Sequence, residues 1–141
     1  MSLSEFQMIN NYFDVPTFSR ADTLLSIGDD AAIIKIPTGH HLVCNLTQWI
    51  EGVDYSKQAP AMETGKQCLL SSLEHFTHRF KTANWMTLSI SMTEINDDWL
   101  LPFSQGLLAT AKRRQIQLIG GDTSRGPEAI RIHLMGTQKD A

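Results

Sequence analysis

The sequence predicts an α+β domain, a mixed and mostly antiparallel sheet with helices on one face. Three observations predict it. "WMTLSISMT", Trp85 to Thr93, alternates apolar and polar residues, the period of a half-buried strand. Residues 97–114 carry Trp99, Leu100, Phe103, Leu107 and Ala111 at helical spacing between an acidic start and a basic end. Helix-like and strand-like stretches then follow one another in the order α-β-β-β-α-β-α-β-β, which suits a sheet covered on one side.

Taken in order, Ser4 and Gln7 form a capping-box pattern, and Leu3, Phe6, Ile9 or Asn10, and Phe13 recur at helical spacing, so a short helix opens the chain and ends near Pro16. "LLSIGDDAAIIKIPTG", Leu24 to Gly39, reads as two short strands separated by Gly28, Asp29 and Asp30, with a turn at Pro37 to Gly39. "HLVCNLTQWI" is a third strand. Residues 56–62 are loop-like, and a helix runs from Glu63 to about Arg79 with Met62, Leu69 or Leu70, Leu73 and Phe76 on one face. After the strand at Trp85, Asn96 is the expected cap of the second long helix, with Asp97 and Asp98 in its first turn. "QLIGGD", Gln117 to Asp122, is a short strand leading into a glycine-rich turn. "AIRIHLMG", Ala129 to Gly136, sets Ile130, Ile132 and Leu134 against Arg131, His133 and Met135.

At 141 residues with no repeat or composition break, the chain reads as one domain, and a chain of this size buries roughly two thirds of its unfolded surface. No apolar run approaches the roughly 20 residues of a membrane-spanning helix. The first ten residues lack the basic and apolar regions of a secretory signal, so the expected compartment is the cytosol, with Cys44 and Cys68 as reduced thiols. Net charge is −3 and the single basic cluster, Lys112 to Arg114, sits at a helix end where cations favour the dipole, which argues against nucleic acid as a partner.

Chemistry is suggested by acids at strand ends. Asp29, Asp30 and Asp122 could converge on a hard cation such as Mg²⁺, although Gly-Asp-Asp and Gly-Gly-Asp are also ordinary turn sequences. In "LIGGDTSRGP", Leu118 to Pro127, the paired glycines imply either a tight turn or a close approach to the main chain. His75 and His78 share a helix face at i and i+3, but no further ligands are obvious, and surface histidines are the plain expectation. His40, His41 and His133 have adequate structural explanations.

"GDDAA", "EGV", the Trp-x-Thr-Leu of Trp85 to Leu88, and "GGDTSRGP", in this order, resemble the N-terminal domain of thiamine-monophosphate kinase, in the superfamily of aminoimidazole ribonucleotide synthetase. The resemblance covers nearly the whole chain. It implies transfer of the γ-phosphoryl of ATP to thiamine monophosphate, with Mg²⁺ ions held by acids around the triphosphate. It also implies metal binding at Asp29, Asp30 and Asp122, nucleotide contact at Gly121 and Asp122, and a homodimer with a barrel-like core. The apolar faces of the strands at Trp85 and Ala129 are suited to that interface, or else pack under the domain's own helices.

The sequence departs from the family at four places. The family's Ser-Thr-Asp-Thr falls on Asn45 to Gln48, putting Thr47 where a metal-binding acid stands, and a neutral hydroxyl is a weak Mg²⁺ ligand. Asp54 replaces a histidine near the thiamine substrate. The helix motif Asn-Leu-Ser-Asp falls on Ser72 to His75, so a second acid becomes His75; Glu74 is one residue away, a rotation of about 100° on a helix. Arg79, Phe80 and Lys81 replace a small Met-Gly-Ala. The family's second domain is also expected to be absent. Two functions follow: a catalytically impaired nucleotide-binding or assembly module with no catalytic residue of its own, binding Mg²⁺ and ATP weakly, or a working kinase half completed by a partner or by a missing C-terminal domain.

Overall fold

The computed structural model describes Phe13, residues 18–25 and residues 31–141. The expected opening helix lies outside these residues except for Phe13, which is buried in the core. Strands β1 (Thr23–Leu25) and β2 (Ile33–Ile34) form a small antiparallel pair. The main sheet contains β3 (His40–Ile50), β4 (Trp85–Met92), β5 (Gln117–Arg125) and β6 (Ala129–Lys139), in the spatial order β3-β6-β4-β5. Only the β4–β5 pair is parallel. Helices α1 (Ala61–Thr77) and α2 (Asp97–Arg113) pack on one face, so the described elements appear in the order their periodicities predict.

The α2 start follows from its sequence. The Asn96 side chain accepts a hydrogen bond from the Asp98 N–H at 3.0 Å, satisfying one of the donors that every helix leaves unpaired at its first turn. Leu100, Phe103, Leu107 and Ala111 are buried, and the Trp99 ring stacks on Phe103 with centroids 4.6 Å apart. Along α1, Leu69, Leu73 and Phe76 face inward as their spacing requires, but Met62 is 48% exposed rather than part of that stripe. The reason lies in the helix crossing: a Cβ on Gly106 would stand 2.1 Å from the Met62 carbonyl oxygen. Main chain meets main chain there, and the Met62 side chain is left outside.

Met86, Leu88, Ile90 and Met92 of β4, with Ile130, Ile132 and Leu134 of β6, form the floor under the two helices. Burying each such side chain is worth about 1.5–3 kcal/mol relative to exposure. These two stripes are therefore the domain's own core and not a surface for a second copy. The opposite, open face carries a smaller cluster of Trp85, Ile119 and Met135, against which Ala32, Ile34 and Ile36 pack. A polar clasp fastens the β1 segment there. Gln117 Oε1 accepts from the Arg20 N–H (2.9 Å) and the Thr23 hydroxyl (2.7 Å), while the Trp85 indole N–H donates to Thr23 Oγ1 (3.0 Å). Elsewhere on this face Leu42, Leu46 and Ile50 of β3 are exposed by 46%, 65% and 38%.

One expectation fails in the glycine-rich stretch. β5 does not stop at Asp122 but continues to Arg125, with the bend at Gly126 and Pro127. The left-handed glycines of the described chain are Gly39, which makes the expected turn after Pro37, and Gly52. Gly121 serves a close approach instead: a Cβ there would lie 2.3 Å from the Leu88 carbonyl oxygen. The pairing of β5 with β4 also slips by one residue between Leu118 and Gly120, which adds Ile119 to the open-face cluster.

Candidate functional site

The pairing registers define two transverse rows of residues. Thr47, Ile132, Leu88 and Gly121 run across the helix-covered face; Gln48, Arg131, Ser89 and Asp122 run across the open face. Asp122 is exposed on the β5 edge. Thr47 stands on the other edge strand and under the helices. Two strands intervene, a spacing of about 14 Å at the usual strand separation. Within the chain, these two positions, which the family resemblance assigns to one acid set, are not brought together. Asp29 and Asp30 lie outside the described residues.

Thr47 is committed elsewhere. Its Oγ1 lies 2.6 Å from the Ser72 hydroxyl and 3.3 Å from the Ile132 carbonyl oxygen, to which it donates. Ser72 is fully buried on α1. The pair ties β3 to α1 through neutral groups, which is a low-cost arrangement for a buried position where an unpaired carboxylate would be expensive. Sequence reasoning identified Thr47 but missed its partner; the signal available was that both positions depart from the family motifs together.

Asp54 is also occupied. Its Oδ2 accepts the Ile50 N–H at 2.8 Å and its own N–H donates to the Ile50 carbonyl at 2.7 Å, closing the turn through Gly52. Its role is turn closure. Glu74 and His75 are exposed on α1 and His78 is exposed just past its end, and among the described residues no group of three His, Cys, Asp or Glu side chains is placed to hold a metal ion. The described donors thus do not fit a cluster of several acids around a triphosphate.

Acids gather at a place the sequence did not indicate. A cleft of about 730 Å³ at one end of the sheet is lined by Glu51, Glu94, Asp97, Asp98 and Glu128 beside the Tyr55 and Trp99 rings. Glu128 accepts both the backbone N–H (2.8 Å) and the hydroxyl (2.5 Å) of Thr93, and these bonds hold its carboxyl below the usual range. Burial, followed by the charge of Glu51, pushes the Tyr55 phenol up. Beside it, burial and then the Asp54 charge push the Cys68 thiol up to about 12, which leaves it an unreactive neutral group. Two buried polar atoms on the covered side of β3, Asn45 Oδ1 and Trp49 Nε1, have no hydrogen-bond partner among the described residues.

A four-stranded mixed sheet with two helices on one face and an acid following paired glycines on an edge strand defines the class: the α+β domain of the aminoimidazole ribonucleotide synthetase type. The chain belongs to the family described as AIR synthase related protein, N-terminal domain, which matches residues 28–137. It is 32% identical over 139 residues to the thiamine-monophosphate kinase of Buchnera aphidicola subsp. Acyrthosiphon pisum, a match covering 99% of this chain and 43% of that protein. The crystal structure of thiamine-monophosphate kinase from Stenotrophomonas maltophilia K279a superposes with a TM-score of 0.79 at 34% identity, covering 86% of this chain and 38% of that one. AaThiL complexed with AMPPCP and TMP gives a TM-score of 0.69 at 18% identity, over 81% of this chain and 37% of that one, and shares the fold. The chain spans about two fifths of the length of these relatives.

Proposed function

We propose that this domain is a thiamine-monophosphate-kinase-like module that retains weak nucleotide contact and does not transfer phosphate by itself. The observation that carries the proposal is the 2.6 Å bond between Thr47 and Ser72. It occupies, with two neutral hydroxyls, the position where the related kinases carry a metal-binding acid. Phosphoryl transfer depends on cations neutralising charge around the transferred group, and a hydroxyl already hydrogen-bonded in the core contributes little to holding them. Asp54, committed to a turn, leaves the substrate histidine without a replacement. Gly121 and Asp122 remain exposed on β5 and are the groups assigned to residual Mg²⁺-nucleotide contact, with Asp29 and Asp30 as further ligands. A relative solved with AMPPCP and TMP supports ATP and a thiamine phosphate as the ligands to try.

A second reading, a kinase half completed by another polypeptide, is favoured by the accessibility of Asp122. Calorimetry with Mg·ATP and a coupled assay on thiamine monophosphate separate the two: weak binding without turnover supports the first, and turnover by the isolated chain overturns it.

The module is assigned as a homodimer that meets through β3. Leu42, Leu46 and Ile50 project from this long edge strand, and an exposed apolar edge strand in a soluble domain calls for a cover. Light scattering is expected to give twice the chain mass and Leu46→Asp to halve it; a monomeric wild-type chain contradicts the assignment.

A further inference from the structure

We propose that the end of the sheet opposite the acid-lined cleft is a docking surface for a short acidic polypeptide segment, formed by Arg79, Lys81, Lys112, Arg113 and Arg114. Topology brings these five together. β3 and β4 both pair antiparallel with β6, and β5 runs parallel to β4, so the C-terminal ends of α1 and α2 both lie where β4 and β5 begin. Those two strands are neighbours: Trp85 pairs with Gln117, and the Gln117 N–H donates to the Asn84 carbonyl at 3.0 Å. The connections that follow the two helices, 78–84 and 114–116, are therefore side by side. A Cβ on Gly136 would stand 2.2 Å from the Thr82 carbonyl oxygen, so β6 closes in beneath them.

All five cations are exposed, and none forms an ion pair among the described residues. Arg79 lies over the Phe80 ring, 5.9 Å from its centroid, and Arg113 reaches the Thr110 hydroxyl at 3.4 Å; both contacts leave guanidinium donors to bind a partner. Helix ends alone do not call for so much charge. Each C-terminus carries about half a negative charge, so five cations exceed what two such ends offset. Arg79 and Lys81 also stand in the stretch where the family resemblance implies a small Met-Gly-Ala. The acids that oppose the cluster are Glu74, exposed on α1, and Asp140, which pairs with His41. The rest of the molecule selects among polyanions. Net charge is −3 despite this cluster, so the remaining surface is acidic and repels a long uniform polyanion such as nucleic acid, whereas a short acidic segment meets the cluster alone. A polypeptide also brings N–H donors for the carbonyl groups that helix C-termini leave open. The cluster lies at strand ends and on the helix-covered side, so contact between copies through β3 or the helix-free face leaves it accessible.

The test is fluorescence anisotropy of a labelled octaglutamate peptide titrated with the chain at low and at physiological ionic strength, with labelled octathymidylate as the second probe. Saturable binding of the peptide in the micromolar range is expected, weaker at the higher salt. Lys112→Gln, Arg113→Gln and Arg114→Gln together should weaken it at least tenfold and Arg79→Gln with Lys81→Gln several-fold, while Lys57→Gln, at the acid-lined end, should leave it unchanged. If the triple variant unfolds, Lys81→Gln with Arg114→Gln, both beyond the helix ends, is expected to weaken binding several-fold. Absence of saturation, saturation unchanged by the variants, or octathymidylate binding as tightly as the peptide overturns the proposal. So does a mass in sedimentation velocity that rises as ionic strength falls and that the cluster variants lower, because the acidic end of another copy would then occupy the surface.

Discussion

Cys68 and Gly121 show how single residues respond to what surrounds them. Burial raises the Cys68 thiol pKa from 9.0 to about 12, so between these values the unfolded chain has lost a proton that the folded chain retains. Stability therefore falls as pH rises from about 9 towards 12, and Cys68→Ala should flatten part of that decline in urea titrations at successive pH values. Tyr55 acts in the same sense, so the slope is reduced and not abolished; an unchanged slope contradicts the burial account. Gly121 marks the limit of local reading. Its sequence context allowed a turn or a close approach, and no local signal distinguishes them, because the obstructing atom is the Leu88 carbonyl on a different strand. The motif singled out Asp122 as a candidate, and the structure places it exposed on the β5 edge. Ser72 was not singled out, since a serine in a helix acquires meaning only when Thr47 is found beside it.

Secondary-structure elements were the most legible level. The strict alternation of β4, the stripe and cap of α2, and the turn at Gly39 follow from periodicity and backbone preference, which are properties of the local chain. The destination of the apolar stripes was less so: alternation states that Met86, Leu88, Ile90 and Met92 share a side, but not whether helices or a second copy cover it. Helix–sheet contact settles that, and contact is non-local. The Thr47–Ser72 bond is the specific polar link between α1 and β3. Thr47→Val leaves the buried Ser72 hydroxyl unsatisfied and should cost about 1–2 kcal/mol, whereas Ser72→Ala leaves Thr47 still donating to the Ile132 carbonyl and should cost less. The double variant should cost less than the sum by about 1 kcal/mol, measured by chemical denaturation; strict additivity would show that the two hydroxyls do not support one another.

For the whole molecule, the fold was readable because family motifs are spread along nearly the entire chain, whereas the state of the site was only half readable. Against the family motifs, Thr47, Asp54 and His75 read as departures. What these residues do instead could not be read, because a turn closed by Asp54 and a hydroxyl pair under α1 are products of assembly. The acid-lined cleft at the end of the sheet is likewise assembled from three separate segments, and no spacing rule collects them. A hydrogen bond between neutral groups, at the position where the family resemblance implies a metal-binding acid, is the physical basis for the proposal that this domain is a binding module and not a self-sufficient kinase.

The most direct measurement of that claim is the coupled phosphoryl-transfer assay of the purified chain with thiamine monophosphate and saturating Mg·ATP. The account predicts no thiamine diphosphate above the rate without protein, even where calorimetry detects nucleotide binding that is weakened by Asp122→Asn. Sustained formation of thiamine diphosphate by the isolated chain, abolished by Asp122→Asn, would contradict it.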